Sequence, residues 1–97
     1  MIFSFKNSGT EDIFNGVNSK AARKLCSESI WRVAVRKLDQ IDSVTTVEEL
    51  IVPPGNRLEM LSGDLEGKYS IRINDQYRVC FAWSELGAEQ VEIIDYH

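Results

Sequence analysis

Histidine is nearly absent from this 97-residue chain, occurring once, as His97, and cysteine and proline occur twice each. Cys26 and Cys80 lie far apart, with neither CxxC spacing nor an adjoining His, so two reduced thiols are expected rather than a disulfide or a metal site. No stretch approaches the roughly 20 consecutive apolar residues of a membrane span. The opening Met1-Ile2-Phe3-Ser4-Phe5-Lys6 lacks the charged start and long apolar core of a secretory signal. A cytoplasmic protein without membrane contact is expected. No GxGxxG, GxxxxGK, HExxH or serine-hydrolase motif is present, which removes support for nucleotide, zinc and triad chemistries.

With 43% hydrophobic residues, a chain of 97 fits one domain spanning residues 1–97 around a single core. Its net charge of −4 opposes indiscriminate binding to nucleic acid, whose phosphates reward each reachable cation. The charge is unevenly spread, however. Lys20, Arg23, Lys24, Arg32, Arg36 and Lys37 face only Glu28 within their stretch, while acids gather at Glu48-Glu49, from Asp64 to Glu66 and near the end. That basic stretch reads as a solvated helix face, a ribosome contact or a partner surface.

Ile2, Phe3 and Phe5 predict a short first strand, closed by Asn7, Ser8 and Gly9. Thr10 is the expected N-cap of a short helix reaching about Gly16, with Glu11 and Asp12 favouring its positive end. A longer helix is expected from Ser27 or Ser29, because Ile30, Val33, Ala34, Leu38 and Ile41 recur at helical steps; Ala21 to Leu25 could extend it back toward Lys20. Thr46-Val47-Glu48-Glu49 has capping-box spacing and predicts one turn, which Pro53-Pro54-Gly55 ends. From Asn56 to Gly67 a loop is expected, with turn signals at Gly63-Asp64 and Glu66-Gly67.

The segment from Lys68 onward alternates as an antiparallel meander. Tyr69, Ile71 and Ile73 alternate with Ser70 and Arg72, and Tyr77, Val79, Phe81 and Trp83 with Arg78, Cys80 and Ala82. A two-residue turn would mix the faces. A three-residue turn at Asn74-Asp75-Gln76 pairs Ile73 with Tyr77, Ile71 with Val79 and Tyr69 with Phe81, keeping the large apolar residues together. Arg72 then stands opposite Arg78, an unfavourable pair unless an acid or an anion such as phosphate lies between them. After a loop at Ser84 to Ala88, Val91 and Ile93 join the core, and Glu92, Ile94 and Tyr96 share the arginine face.

Pro53-Pro54-Gly55-Asn56-Arg57-Leu58-Glu59, Gly63-Asp64, Gly67, the run Tyr69 to Val79 and the closing Asp95-Tyr96-His97 together resemble the HigB group of RelE-like toxins. The likeness is strong from about residue 47 onward and looser before. It implies an α+β fold: a short N-terminal strand and two N-terminal helices packed on a small antiparallel sheet with a C-terminal β-meander. It further implies a toxin that cuts messenger RNA at the ribosome and inhibits translation, without metal or other cofactor. Its implied partners are the ribosome, messenger RNA and a cognate helix-turn-helix antitoxin of HigA type, through which alone it would meet DNA.

In the implied reaction a ribose 2′-hydroxyl attacks the adjoining phosphate, which calls for a base, a cation and an acid. Arg78 matches the family's phosphate-stabilising arginine, and Tyr96 and His97 its C-terminal pair. Where many relatives carry a His and a Lys in the preceding loop, this sequence has Glu59 and Ser62. Glu59 is therefore a candidate base, His97 remains the ordinary candidate for proton transfer, and Arg57, Arg72, Asn74 and Lys68 are expected to bind substrate. The same departures are compatible with a catalytically weak or inactive binding module that acts in repression through an antitoxin-like partner.

Overall fold

The computed structural model describes residues 1–96. Three α-helices precede a four-stranded sheet: α1 (Ser8–Phe14), α2 (Lys20–Leu25), α3 (Trp31–Ser43), β1 (Glu59–Met60), β2 (Lys68–Arg72), β3 (Tyr77–Ser84) and β4 (Gly87–Asp95). The strands lie in the order β1-β2-β3-β4, each antiparallel to its neighbour. Helices on an antiparallel sheet are thus the observed α+β architecture, with three helices where periodicity pointed to two.

The extra helix comes from a break at Cys26, whose backbone is extended (φ −163°, ψ 163°). The Trp31 indole N–H donates to the Cys26 carbonyl at 3.1 Å, closing the corner between α2 and α3. Ser19 caps α2 by accepting the Ala22 N–H at 3.0 Å. Gly9 lets α1 approach α2 closely, since a Cβ there would stand 2.8 Å from the Ala21 carbonyl oxygen. Along α3 the predicted stripe is correct: Ala34, Leu38 and Ile41 are fully buried.

The cap of α1 is Asn7, not Thr10. Asn7 Oδ1 accepts the Thr10 N–H at 2.9 Å, three residues into the turn. Thr10 is instead buried, and its hydroxyl accepts the Ile93 N–H at 3.1 Å. That bond satisfies an amide on the outer edge of β4, so Thr10→Val, which keeps shape but removes the acceptor, is expected to destabilise by about 1–3 kcal/mol. A urea titration against the wild type measures it.

The expected first strand is a tether rather than a strand. Ile2 and Phe5 make isolated parallel bridges to Ala88 and Val91. Continuous pairing stops because Gln90 adopts a left-handed backbone (φ 52°) at a β-bulge, two residues opposing Phe81, and sends its N–H to Ser4 Oγ at 2.9 Å. The tether covers the free edge of β4, which would otherwise expose a row of unpaired amides.

The meander register is as expected: Tyr69 faces Phe81, Ile71 faces Val79, and Arg72 faces Arg78. Ile73 N–H donates to Tyr77 O at 2.9 Å across the three-residue turn. One face carries Ile71, Ile73, Val79, Phe81, Val91 and Ile93, all buried in the same core cluster as Ile13, Leu38 and Ile41. Two expected loops are shorter than predicted. Within Asn56 to Gly67 lies β1, whose Glu59 and Met60 pair with Ser70 and Tyr69. The turn between β3 and β4 is only Glu85 and Leu86, since Ser84 already pairs with Gly87.

Thr46 opens a 3-10 turn at Val47–Ile51 as its spacing predicts. The Glu49 carboxylate accepts the N–H groups of Thr46 at 2.7 Å and Thr45 at 2.9 Å. These bonds hold its carboxyl below its ordinary 4.5. The unfolded state therefore binds the proton first as pH falls, so this contribution is complete above pH 4.5 and fades below it. Urea midpoints between neutral and acid pH should show Glu49→Gln less acid-sensitive than the wild type.

Candidate active site

The face of the sheet away from the helices carries the candidate residues, because period-two alternation sends Glu59 on β1, Ser70 and Arg72 on β2, and Arg78 on β3 to the same side. Arg78 is unexpectedly enclosed, with 6% of its surface exposed. Its Nε–H donates to the Ser70 hydroxyl at 2.7 Å, and Nη2 donates to the Arg57 carbonyl at 2.5 Å. The Tyr96 ring lies over the guanidinium, 5.3 Å from Cζ to the ring centroid. Glu59 Oε1 stands 3.9 Å from Nη2. Nη1 makes no hydrogen bond among the described residues.

The predicted Arg72–Arg78 opposition is present, and each arginine meets its own acid. Arg72 pairs with Asp75 of the adjoining turn, whereas Arg78 pairs with Glu59 across two strands. Glu59 remains about half exposed, at 47% of its side chain, so its carboxylate is within reach of solvent as well as of the cation. At that exposure the ion pair itself adds little stability.

Tyr96 is held to the turn before β3: its N–H donates to the Gln76 carbonyl at 2.7 Å. Gln76 also donates to the Asp95 carboxylate at 3.1 Å. A ring lying over a buried guanidinium contributes about 0.5–2 kcal/mol. His97 lies outside the described residues.

The remaining expected residues divide. Arg57 joins the site through its backbone carbonyl, with its side chain exposed. Asn74 is engaged in the turn, its Oδ1 accepting from Gln76 N–H at 2.9 Å and Tyr77 N–H at 2.7 Å. Lys68 stands opposite Ala82, on the far side of Ser70 from Arg72. Ser62 lies in the exposed loop after β1.

Three participants are not evident from the sequence. Ser70 reads there only as a polar alternation, although its place between Lys68 and Arg72 on one face is a usable signal. Asn56 is fully buried and accepts from Lys37 Nζ at 2.6 Å. Burial, with lesser repulsion from Arg36 and Arg72, pushes the Lys37 ammonium below its ordinary 10.5. Lys37 on α3 thus feels the charge of Arg72 on β2. Both cysteines are buried and free, and burial raises both thiols above 9.0.

A fixed guanidinium flanked by a carboxylate and a phenol can hold a phosphate and move a proton beside it. Residues 3–97 match the family described as RelE-like toxin of the type II toxin-antitoxin system HigB. Over 83 residues, 86% of this chain and 84% of the relative, the sequence is 37% identical to Toxin HigB-1 of Vibrio cholerae serotype O1. An uncharacterized protein of Haemophilus influenzae is 38% identical over 55 residues, 57% of this chain and 54% of that one. In fold the chain is similar to one chain of the YoeB-YefM complex from Staphylococcus aureus, with TM-score 0.61 and 15% identity, covering 100% of this chain and 98% of that one.

Proposed function

Because this chain belongs to the HigB-like family of RelE-type toxins of type II toxin-antitoxin systems, we propose that it is an endoribonuclease that cuts messenger RNA at the ribosome. A toxin of such a system has a cognate antitoxin. For this chain we assign a helix-turn-helix protein of HigA type, which would also be its sole link to DNA. The cytoplasm, where ribosomes are, is the corresponding place of action.

The observation that carries the reading is Arg78, a nearly buried cation hydrogen-bonded to Ser70 and Arg57 and covered by the Tyr96 ring. On this reading the guanidinium binds the scissile phosphate and stabilises the charge that grows on it, where a preset donor is worth more than in water. Glu59, half exposed and beside Arg78, takes the 2′-hydroxyl proton. Tyr96 covers the guanidinium. His97 is the proposed acid for the departing 5′-oxygen, its imidazole being able to release a proton near neutral pH. Arg57 and Arg72 would bind the flanking backbone, and Lys68 a more distant phosphate.

A second reading, a weakly active or inactive module acting through its antitoxin in repression, is favoured by the Glu59–Arg78 pairing, which offsets the charge that Arg78 offers to RNA. Inducing the chain in bacteria separates the two. A nuclease arrests growth, fragments messenger RNA and is relieved by co-expression of the neighbouring helix-turn-helix protein. Normal growth with intact messenger RNA, together with stable binding to that protein, favours the module.

A further inference from the structure

Asn56 sits where a buried amide is hard to account for by packing alone. It is wholly enclosed, and its four side-chain contacts reach two separate parts of the chain. Lys37 Nζ donates to Oδ1 at 2.6 Å, and Nδ2 donates to Gln40 Oε1 at 2.9 Å, Leu50 O at 3.1 Å and Val52 O at 3.4 Å. The orientation of the amide is unambiguous, since an ammonium only donates and a carbonyl only accepts. Its own backbone N–H closes a turn onto Pro53 O at 2.9 Å. The residue is therefore clamped to α3 on one side and to the 3-10 turn at Val47–Ile51 on the other.

The next residue, Arg57, has a left-handed backbone (φ 46°, ψ 56°), uncommon for a residue with a Cβ. Its N–H donates to Pro54 O at 3.1 Å, and its carbonyl receives Nη2 of Arg78. That conformation turns the carbonyl toward the sheet while leaving the Arg57 side chain exposed. A local cost of this kind persists where surrounding structure over-determines it, and the clamp on Asn56 is what does so here.

We propose that Asn56 is a positioning residue: anchored by Lys37 and Gln40, it locks Arg57 in the left-handed conformation, and the Arg57 carbonyl so presented sets the orientation of the Arg78 guanidinium. The positioning is a statement about geometry; its consequence for cleavage rests on the nuclease reading above. In this arrangement α3 controls the cation on the opposite face of the sheet through the side chains of Lys37, Gln40 and Asn56 and one peptide group. The role of Lys37 is to hold this clamp.

Arg57→Gly and Arg57→Val test it with an internal control. Both remove the guanidinium of Arg57 from an exposed position, but glycine accepts the left-handed backbone and valine resists it. The readout is the Nη proton resonances of Arg78, assigned by their loss in Arg78→Lys, which stay separate only while hydrogen bonds arrest rotation of the guanidinium. Separate signals are expected in the wild type and Arg57→Gly. In Arg57→Val, rotation should quicken about tenfold or more, the effect of one lost bond to a charged group, with cleavage falling below that of Arg57→Gly by a similar factor. Lys37→Met, which removes one clamp bond from a half-buried site, should quicken it as well and decides the matter if Arg57→Val does not fold. Identical Arg78 signals in Arg57→Gly and Arg57→Val, or unchanged signals in Lys37→Met, would overturn the proposal. If the signals respond as expected while no form of the protein cleaves RNA, the positioning stands and the nuclease reading fails.

Discussion

Arg78→Ala is expected to lower RNA cleavage by about 10²–10³-fold, the usual loss when one preset charge-stabilising donor is removed. The same change should destabilise the fold, because the Ser70 hydroxyl and the Arg57 carbonyl both lose the partner that satisfies them. Each such group left without a partner costs about 1–3 kcal/mol. Arg78→Lys separates the two effects. Lysine keeps the charge but cannot reach Ser70 and Arg57 together, so it should retain more stability than alanine while staying well below the wild type in cleavage. Thermal melts and cleavage in a translating extract, measured on the same preparations, test both. Wild-type cleavage by Arg78→Ala would remove this residue from the chemistry.

A large effect on stability, independent of the site, is expected from Gly87→Ala. Gly87 begins β4 with φ +127°, a region that side chains rarely adopt, and an added Cβ would lie 2.2 Å from the carbonyl oxygen of Met1. That oxygen accepts the Ala88 N–H at 2.9 Å, the first bond of the tether along β4. Relief requires moving backbone on one side or the other, since no flexible side chain is involved. A loss of about 3 kcal/mol is expected, which for a domain of this size lowers the melting temperature by roughly 12 °C or more. Gly55 is the contrasting site, where an added methyl would meet nothing within 4 Å. Gly55→Ala should therefore melt within a few degrees of the wild type.

How much of this is readable from the sequence follows from how local each determinant is. The register of β2 against β3 is legible, because a shift of one residue would put Ile71 on the opposite face from Val79 and Phe81. The stripe on α3 is legible for the same reason. The break at Cys26 is not, since Ala21 to Leu25 favour helix and the corner depends on the Trp31 indole. Asn7 and Thr10 are both competent caps, and only the position of β4 explains why Thr10 is needed elsewhere. With two residues, β1 gives no periodicity to read.

In the candidate site, the grouping of Arg78, Glu59 and Tyr96 follows from the family likeness and from alternation along the strands. The enclosure of Arg78 does not. It depends on a left-handed non-glycine residue, Arg57, and on a buried amide, Asn56, whose partners lie 19 and 16 residues away at Lys37 and Gln40. Nothing in the local sequence signals such a contact. Of the acid or anion expected beside Arg72 and Arg78, the acids are present as two separate carboxylates, Asp75 and Glu59, of which only the first is a sequence neighbour.

The most direct measurement of the central claim is the chemistry of the cut. Messenger RNA incubated with the purified chain in a translating extract should be cleaved to leave a 2′,3′-cyclic phosphate on the upstream fragment, and a single 2′-deoxy substitution at the cut nucleotide should abolish cleavage there. RNA that stays intact, or that is cut equally well without the 2′-hydroxyl, would contradict the proposed attack and the roles assigned to Arg78 and Glu59.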